Sequence, residues 1–155
     1  SGQNTLRLNP PLTGYLVDKM LRKETATLYN RTSIKRDYIH VRDVQNIILK
    51  LFDLRINRGS KFELFNLCSG NSYSVPDIIR ILEEVSGEKL NLVYADPADI
   101  WNNHNTIFSK VSHDRIEKEV HKESIGSNAK LKEFMGNQIY FTNMREGLEQ
   151  MYNQR

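Results

Sequence analysis

The chain has 155 residues, of which 39% are hydrophobic and 26% are charged, a composition typical of one soluble globular domain and not of a disordered, fibrous or membrane-spanning chain. Its single cysteine excludes an internal disulfide, and no apolar run approaches the roughly 20 residues that would span a bilayer. The net charge of +3 is uneven, with +6 in residues 1–60, −3 in 61–110 and 0 in 111–155, so the first third is expected to suit an anionic partner or simply to present a solvated face.

The first two residues, Ser1-Gly2, stand where a methionine would be expected. A cleaved affinity tag leaves such a start. We therefore interpret residues 1–2 as a tag remnant and residues 3–155 as a single domain of a longer protein. The first 30 residues lack the apolar core of a signal peptide, so we expect a cytoplasmic location.

In the first third, apolar side chains at helical spacing after Pro10-Pro11 predict an amphipathic helix over residues 12–23. A short strand is predicted over residues 26–29. The β-favouring residues 38–41 then lead into a strong helical pattern over residues 44–52, with Asp43 as the expected N-cap.

After a turn at residues 58–60, residues 62–68 are almost continuously apolar, as in a strand that is covered on both faces. Ser74 and Asp77 have the spacing of a capping box, which opens a helix that ends near Gly87. A further strand is predicted over residues 90–94. The alternation of strands and helices predicts an α/β fold with a small mixed, partly parallel sheet and flanking helices.

The last third is predicted to be helical. A loop at residues 101–105 precedes helical patterns around residues 116–120 and over residues 131–135. A capping-box-like start at residues 143–146 opens a C-terminal helix.

The glycines do not form a phosphate-binding loop of the dinucleotide or P-loop type, since they lie at positions 2, 14, 59, 70, 87, 126, 136 and 147. The four histidines and the cysteine lack metal-ligand spacing. The sequence therefore predicts neither a metal site nor a cofactor bound by this chain alone.

Tyr15 and Lys19 form a Tyr-x-x-x-Lys pair, which on a helix would place a phenol beside an ammonium group. Seven tyrosines among many lysines make such a pair expected by chance. Because Tyr15 also fits the apolar stripe of its helix, we interpret it as a core residue.

Polar and apolar residues alternate most densely over residues 36–44. Arg36 could bind phosphate oxygens through two N–H groups, with Tyr38 on the same face of a strand. Alternatively, Arg36 and Asp37 form a surface ion pair beside a half-buried tyrosine. The residues alone leave both interpretations open.

The run Arg36-Asp37-Tyr38-Ile39-His40-Val41-Arg42-Asp43-Val44 resembles the Arg-Asp-Tyr-Ile-His-Val-x-Asp-Val motif of the extended short-chain dehydrogenase/reductases, the family of NAD-dependent nucleotide-sugar epimerases and dehydratases that includes the UDP-galactose 4-epimerases. Further segments that resemble family motifs in the same order are residues 6–10, 65–70, 73–75 and 144–152. The resemblance covers roughly residues 5–153.

This resemblance implies that the chain is the C-terminal, substrate-binding part of such an enzyme and lacks the Rossmann nucleotide-binding half. The family's glycine-rich turn and catalytic Tyr-x-x-x-Lys lie upstream, so no catalytic residue is expected here, and NAD or NADP would be bound by the parent enzyme. The implied partners are the N-terminal cofactor domain, partly covered by the helix of residues 44–52, and a second copy through exposed apolar surface.

The resemblance also implies a substrate site. Asn9 matches the asparagine at the phosphate region, and Thr27 and Tyr29 match the strand that holds the nucleobase. Arg36 matches the diphosphate-binding arginine, whose planar fork suits paired phosphate oxygens. Two further residues, Tyr38 and Val75, match the lining of the nucleotide pocket.

The sequence departs from the family where a second phosphate-binding arginine is usual. Residues 95–99 read Ala-Asp-Pro-Ala-Asp, so Asp99 matches the family's final aspartate near the ribose but the arginine is missing. Trp101, Asn102 and His104 are candidate replacements. The segment between Asn9 and Arg36 is shorter than in the epimerases, which leaves the sugar undetermined.

The expected function is to bind the diphosphate of a nucleotide sugar within an NAD(P)-dependent epimerase or dehydratase, with the isolated chain catalytically inactive. An alternative is a non-catalytic nucleotide-sugar-binding module or partner subunit. Nucleic-acid binding is disfavoured, because a net charge of +3 is modest for following a phosphate backbone.

Overall fold

The computed structural model describes residues 11–28, 33–58, 62–95, 122–136 and 139–154, with only the backbone described for 55–58. In chain order the elements are α1 (Leu12–Arg22), β1 (Ala26–Leu28), β2 (Arg36–Asp37), α2 (Val41–Arg58), β3 (Ser72–Tyr73), α3 (Val75–Ser86), β4 (Leu92–Tyr94), α4 (Ala129–Met135) and α5 (Met144–Asn153).

The strands form two short sheets. β1 pairs with β4 in parallel, with Thr27 opposite Val93. β2 pairs with β3 in antiparallel, with Arg36 opposite Tyr73. The predicted α/β fold with a small, partly parallel sheet and flanking helices is confirmed.

The main core lies where α1, α3 and α5 pack against the β1–β4 sheet. Its fully buried side chains come from all three helices and include Leu16, Ile78, Leu82 and Leu148. The apolar faces of α1, α3 and α5 therefore pack against one another and against the sheet, as their amphipathic sequence patterns indicate.

A second apolar cluster joins α2 to α4. Ile47 packs with Leu131 and Met135, and the rings of Phe65 and Phe134 extend the cluster with centroids 4.9 Å apart. This cluster uses one face of α2 only.

The predicted ends of α3 and α5 are confirmed. Ser74 and Asp77 form a reciprocal capping box at the start of α3, and Asn143 and Glu146 do the same for α5. Gly87 ends α3 at φ 70°, a left-handed conformation that favours glycine.

The β-favouring residues 38–41 do not form a strand, and the expected N-cap at Asp43 is wrong. The strand is β2, two residues earlier, and α2 begins at Val41, directly after His40. The His40 carbonyl accepts from the N–H of Asp43 at 3.0 Å. Asp43 instead lies inside the first turn, where its buried carboxylate accepts from the Thr142 N–H at 2.7 Å and hydroxyl at 2.9 Å.

The predicted strand over residues 62–68 is also wrong. None of residues 62–69 is in a strand, and Phe62 and Leu64 are 94% and 72% exposed. The Leu64 carbonyl accepts from Lys130 Nζ at 2.9 Å and not from a neighbouring strand. The apolar pattern indicated a preference for burial, but within the described residues no second layer covers this segment.

Several predicted elements lie outside the described residues: the turn at 58–60 for the most part, the loop at 101–105 and the helix at 116–120. In the described part of the chain, no helix combines the length and apolar character needed to cross a membrane.

Candidate functional site

Arg36 lies on a backbone that is held from two sides. β3 flanks it on one side, through the pairing with Tyr73. On the other side, Ser124 bridges to it in parallel: the Asp37 N–H donates to the Ser124 carbonyl at 2.7 Å, and the Ser124 N–H donates to the Lys35 carbonyl at 3.3 Å. The exposed Arg36 side chain therefore projects from a fixed backbone.

Tyr38 follows β2 directly and packs against the main core. Burial raises the pKa of its phenol above the ordinary 10.0, and the nearby positive charge of Arg36 opposes part of that shift. The phenol is therefore neutral at physiological pH and can act as a hydrogen-bonding group beside the guanidinium.

Val75 opens α3 two residues after Tyr73, the strand partner of Arg36. It is half-buried and packs against the same main core as Tyr38. Thus the structure gathers Arg36, Tyr38 and Val75 around the β2–β3 pair, although they are up to 39 positions apart in sequence.

Thr27 lies on the other sheet, in the middle of β1. Its backbone N–H donates to the Tyr15 hydroxyl at 2.8 Å, and that hydroxyl lies 3.4 Å from the Thr27 carbonyl. The Thr27 N–H is therefore already hydrogen-bonded within the protein. Tyr15 packs against the main core and Lys19 pairs with Glu24 at 2.6 Å, as expected for a structural tyrosine.

The other sequence-predicted site residues and their candidate replacements lie outside the described residues: Asn9, Tyr29, Asp99, Trp101, Asn102 and His104.

Sequence reasoning missed the role of Asp37. Its carboxylate accepts from the Ser69 N–H at 2.8 Å, the Ser69 hydroxyl at 2.9 Å and the Gly70 N–H at 2.8 Å. On the other side of this loop, Asn128 Nδ2 donates to the carbonyls of Cys68 at 3.1 Å and Ser69 at 2.9 Å. We call Asp37, Ser69, Gly70 and Asn128 the Asp37 cluster. No local spacing could reveal it, because Asn128 is 91 positions from Asp37.

A cleft open to solvent lies beside Tyr38. Its walls are mostly apolar and come from the start of α1, the segment around His40 and one side of α5, including Gly147 and Met151. The His40 Nδ1 accepts from the Arg42 N–H at 3.3 Å. Tyr38 lines this apolar cleft and also lies near the positive charge of Arg36.

The N-terminus of α3 does not have the features of a site for the pyrophosphate of a dinucleotide. Such a group binds at a helix N-terminus that follows a glycine-rich turn. At α3 the Asp77 N–H is bonded to Ser74, and the Asp77 carboxylate occupies the place of an anion. The pKa of Asp77 lies below its ordinary 3.8 because Ser74 hydrogen-bonds its carboxylate and, to a smaller extent, because Lys35 and Arg80 are nearby.

The chain is similar in sequence to a GDP-6-deoxy-D-talose 4-dehydrogenase from Aggregatibacter actinomycetemcomitans, with 33% identity over 154 residues, which is 99% of this chain and 44% of that protein. It is 45% identical over 62 residues to a UDP-glucose 4-epimerase from Azospirillum brasilense, covering 39% of this chain and 17% of that protein. A crystal structure of UDP-glucose 4-epimerase with UDP-glucose from Thermotoga maritima shares the fold, with a TM-score of 0.67 and 22% identity over 92% of this chain and 38% of that chain.

The chain is therefore similar to part of the extended short-chain dehydrogenase/reductases. Its match to this dehydrogenase and these epimerases is to their C-terminal part, and it spans less than half the length of the curated relatives it matches. No family model matches the sequence.

Proposed function

We propose that this chain binds the diphosphate of a nucleotide sugar, as the substrate-binding part of an NAD(P)-dependent epimerase or dehydratase. One observation carries the proposal: Arg36 lies on a strand held by β3 and Ser124, next to the half-buried Tyr38. A guanidinium on a fixed backbone loses little freedom when it binds two phosphate oxygens.

The charge around Arg36 supports an anionic ligand. Lys35 precedes it, and its positive charge reaches Asp77 at the start of α3. The largest local excess of basic residues also lies in residues 1–60. A diphosphate at this place would meet attraction from both basic side chains.

We propose that NAD(P) is held by another part of the parent enzyme and that the isolated chain does not catalyse a reaction. The residues of this chain then bind and orient the substrate. Their binding energy holds the reacting carbon in place, although they do not touch that carbon.

The proposed contact with that other part is an exposed apolar face of α2. Val41, Ile48, Leu49 and Phe52 are each more than half exposed and lie on one side of the helix, while Ile47 faces the second cluster. A helix that is apolar on two faces is typical of one packed between two layers. We further propose that this face lets the free chain self-associate.

The identity of the nucleotide is open, because the relatives include both a GDP-sugar and a UDP-sugar enzyme. Saturation-transfer NMR on the purified chain with GDP, UDP, dTDP, CDP and NAD would decide it. We expect transfer to at least one nucleoside diphosphate, and no transfer to NAD through its nicotinamide.

Arg36→Ala is expected to weaken the binding of that diphosphate by ten- to a hundredfold, the contribution of a charge-assisted hydrogen-bond pair. Arg22→Ala is the matched control, since Arg22 is an exposed arginine on α1 that pairs with Asp18 at 3.1 Å, and it should bind as the wild type does. The proposal would be contradicted if a folded sample showed no saturation transfer to any nucleoside diphosphate, or if both variants lost the same amount of diphosphate affinity.

A further inference from the structure

The Asp37 cluster ties together three segments that are distant in sequence. The Asp37 carboxylate binds the N–H side of the loop at Ser69 and Gly70, and Asn128 binds the carbonyl side of the same loop. Gly70 takes φ 78°, and a Cβ there would lie 3.0 Å from Asn128 Nδ2. The loop is therefore closed tightly between the two side chains.

The Asp37 cluster lies beside β2 and β3, which are each only two residues long. A two-stranded pair of this length has little stability of its own in water. The register that places Arg36 opposite Tyr73 is therefore supported by the bridge to Ser124 and by the side-chain contacts that fix Asp37 to the loop just before β3.

Neighbouring residues of a strand direct their side chains to opposite faces. Asp37 is half-buried and bound to the loop, whereas Arg36 is exposed. The contact that turns the Asp37 carboxylate toward Ser69 therefore turns the Arg36 side chain the other way, to the opposite, exposed face of the β2–β3 pair.

We infer that Asp37 is a positioning residue, which fixes the direction of Arg36 for diphosphate binding without contacting the ligand. The inference rests on the proposed function for its consequence in binding. The positioning itself can be measured without any ligand.

The test in binding is a double-mutant cycle with Asp37→Asn and Arg36→Ala, in which the probe is whichever of GDP, UDP, dTDP and CDP the wild type binds most tightly. Asn keeps the size of the side chain but places an amide N–H₂ against N–H donors. Asp37→Asn should weaken binding of the diphosphate that the wild type takes by about tenfold. In the Arg36→Ala background the same change should have no further effect, because the two residues act through one contact.

Asp43→Asn is the matched control, since Asp43 is also a carboxylate that accepts an N–H and a hydroxyl, from Thr142. It should change the melting temperature without changing the diphosphate affinity. An additive loss in the double variant, or an equal loss from Asp43→Asn, would overturn the inference in favour of a general structural role.

The second readout is ¹⁵N relaxation of the Arg36 backbone amide in the free chain. We expect its order parameter to fall in Asp37→Asn and to remain unchanged in Asp43→Asn. An unchanged order parameter in Asp37→Asn would overturn the positioning role. If the wild type binds none of GDP, UDP, dTDP and CDP while the order parameter falls as expected, the proposed function fails and the positioning role stands.

Discussion

At the scale of single residues, carboxylates do different work according to the groups that face them. Asp37 accepts from a loop, Asp43 accepts from Thr142 across 99 positions, and Asp77 closes a capping box within its own helix. Asp77 could be recognised from sequence because its partner is three residues away. The other two could not, since the spacing of a sequence carries no record of contacts between distant segments.

Asp77 makes the free energy of unfolding of the chain depend on pH in the acid range. Its pKa in the folded protein is lowered, chiefly by the hydrogen bonds to Ser74. A lowered folded pKa means that the stabilisation is complete above the ordinary pKa of 3.8 and is lost as the pH falls through the folded value. Asp77→Ala should cost about 1 kcal/mol at pH 7 and should flatten the loss of stability below about pH 4.

Urea unfolding at a series of pH values measures both effects. Asn143→Ala serves as the control, because it removes the cap of α5 at a similar cost without removing the Asp77 carboxyl. If the free energy of unfolding of Asp77→Ala falls with pH as steeply as that of the wild type, this prediction is wrong.

At the scale of elements, α2 has four exposed large apolar side chains, more than any other helix or strand in the described part of the chain. Its face toward α4 is packed, but Phe52 and Leu49 remain 66% and 64% exposed on another face. An exposed patch of this kind is typical of a surface that another protein part covers. The same reasoning applies to residues 62–68, whose apolar pattern also predicts a covered surface although Phe62 and Leu64 are exposed.

Phe52→Glu should reduce self-association of the free chain, because a charge in the contact would have to be desolvated. Its folding stability should change by no more than about 0.5 kcal/mol, since the side chain is exposed. Sedimentation velocity over a range of concentrations measures the association.

Asn46→Glu adds the same charge on an exposed position of α2 away from the apolar face. This variant should associate as the wild type does. Equal behaviour of the two variants would show that the face of α2 is not the contact.

At the scale of the whole molecule, the sequence predicted the helices with local signals most accurately. α1, α3 and α5 each combine an apolar stripe with a cap or a breaker, and all three are confirmed. The short strands were harder: β2 has two residues, too few for a pattern, and is specified by its contacts with β3 and Ser124.

The candidate site likewise contains some residues that the sequence indicated and others that only the structure revealed. Arg36, Tyr38 and Val75 were selected through their resemblance to family motifs, and the structure gathers them around the β2–β3 pair. Thr27 lies on the other sheet with its N–H already bonded to Tyr15. The Asp37 cluster emerged only from the three-dimensional arrangement, because its members come from three separate segments.

The most direct test of the central claim is a map of backbone amide shifts in a ¹⁵N-labelled chain titrated with the nucleoside diphosphate that gives the strongest saturation transfer. We expect the largest shifts at Arg36, Tyr38 and Val75, and small shifts in α4, which packs against α2 in the second apolar cluster. Shifts that fall mainly in α4, or no shifts at a nucleotide concentration of several millimolar, would contradict the central claim.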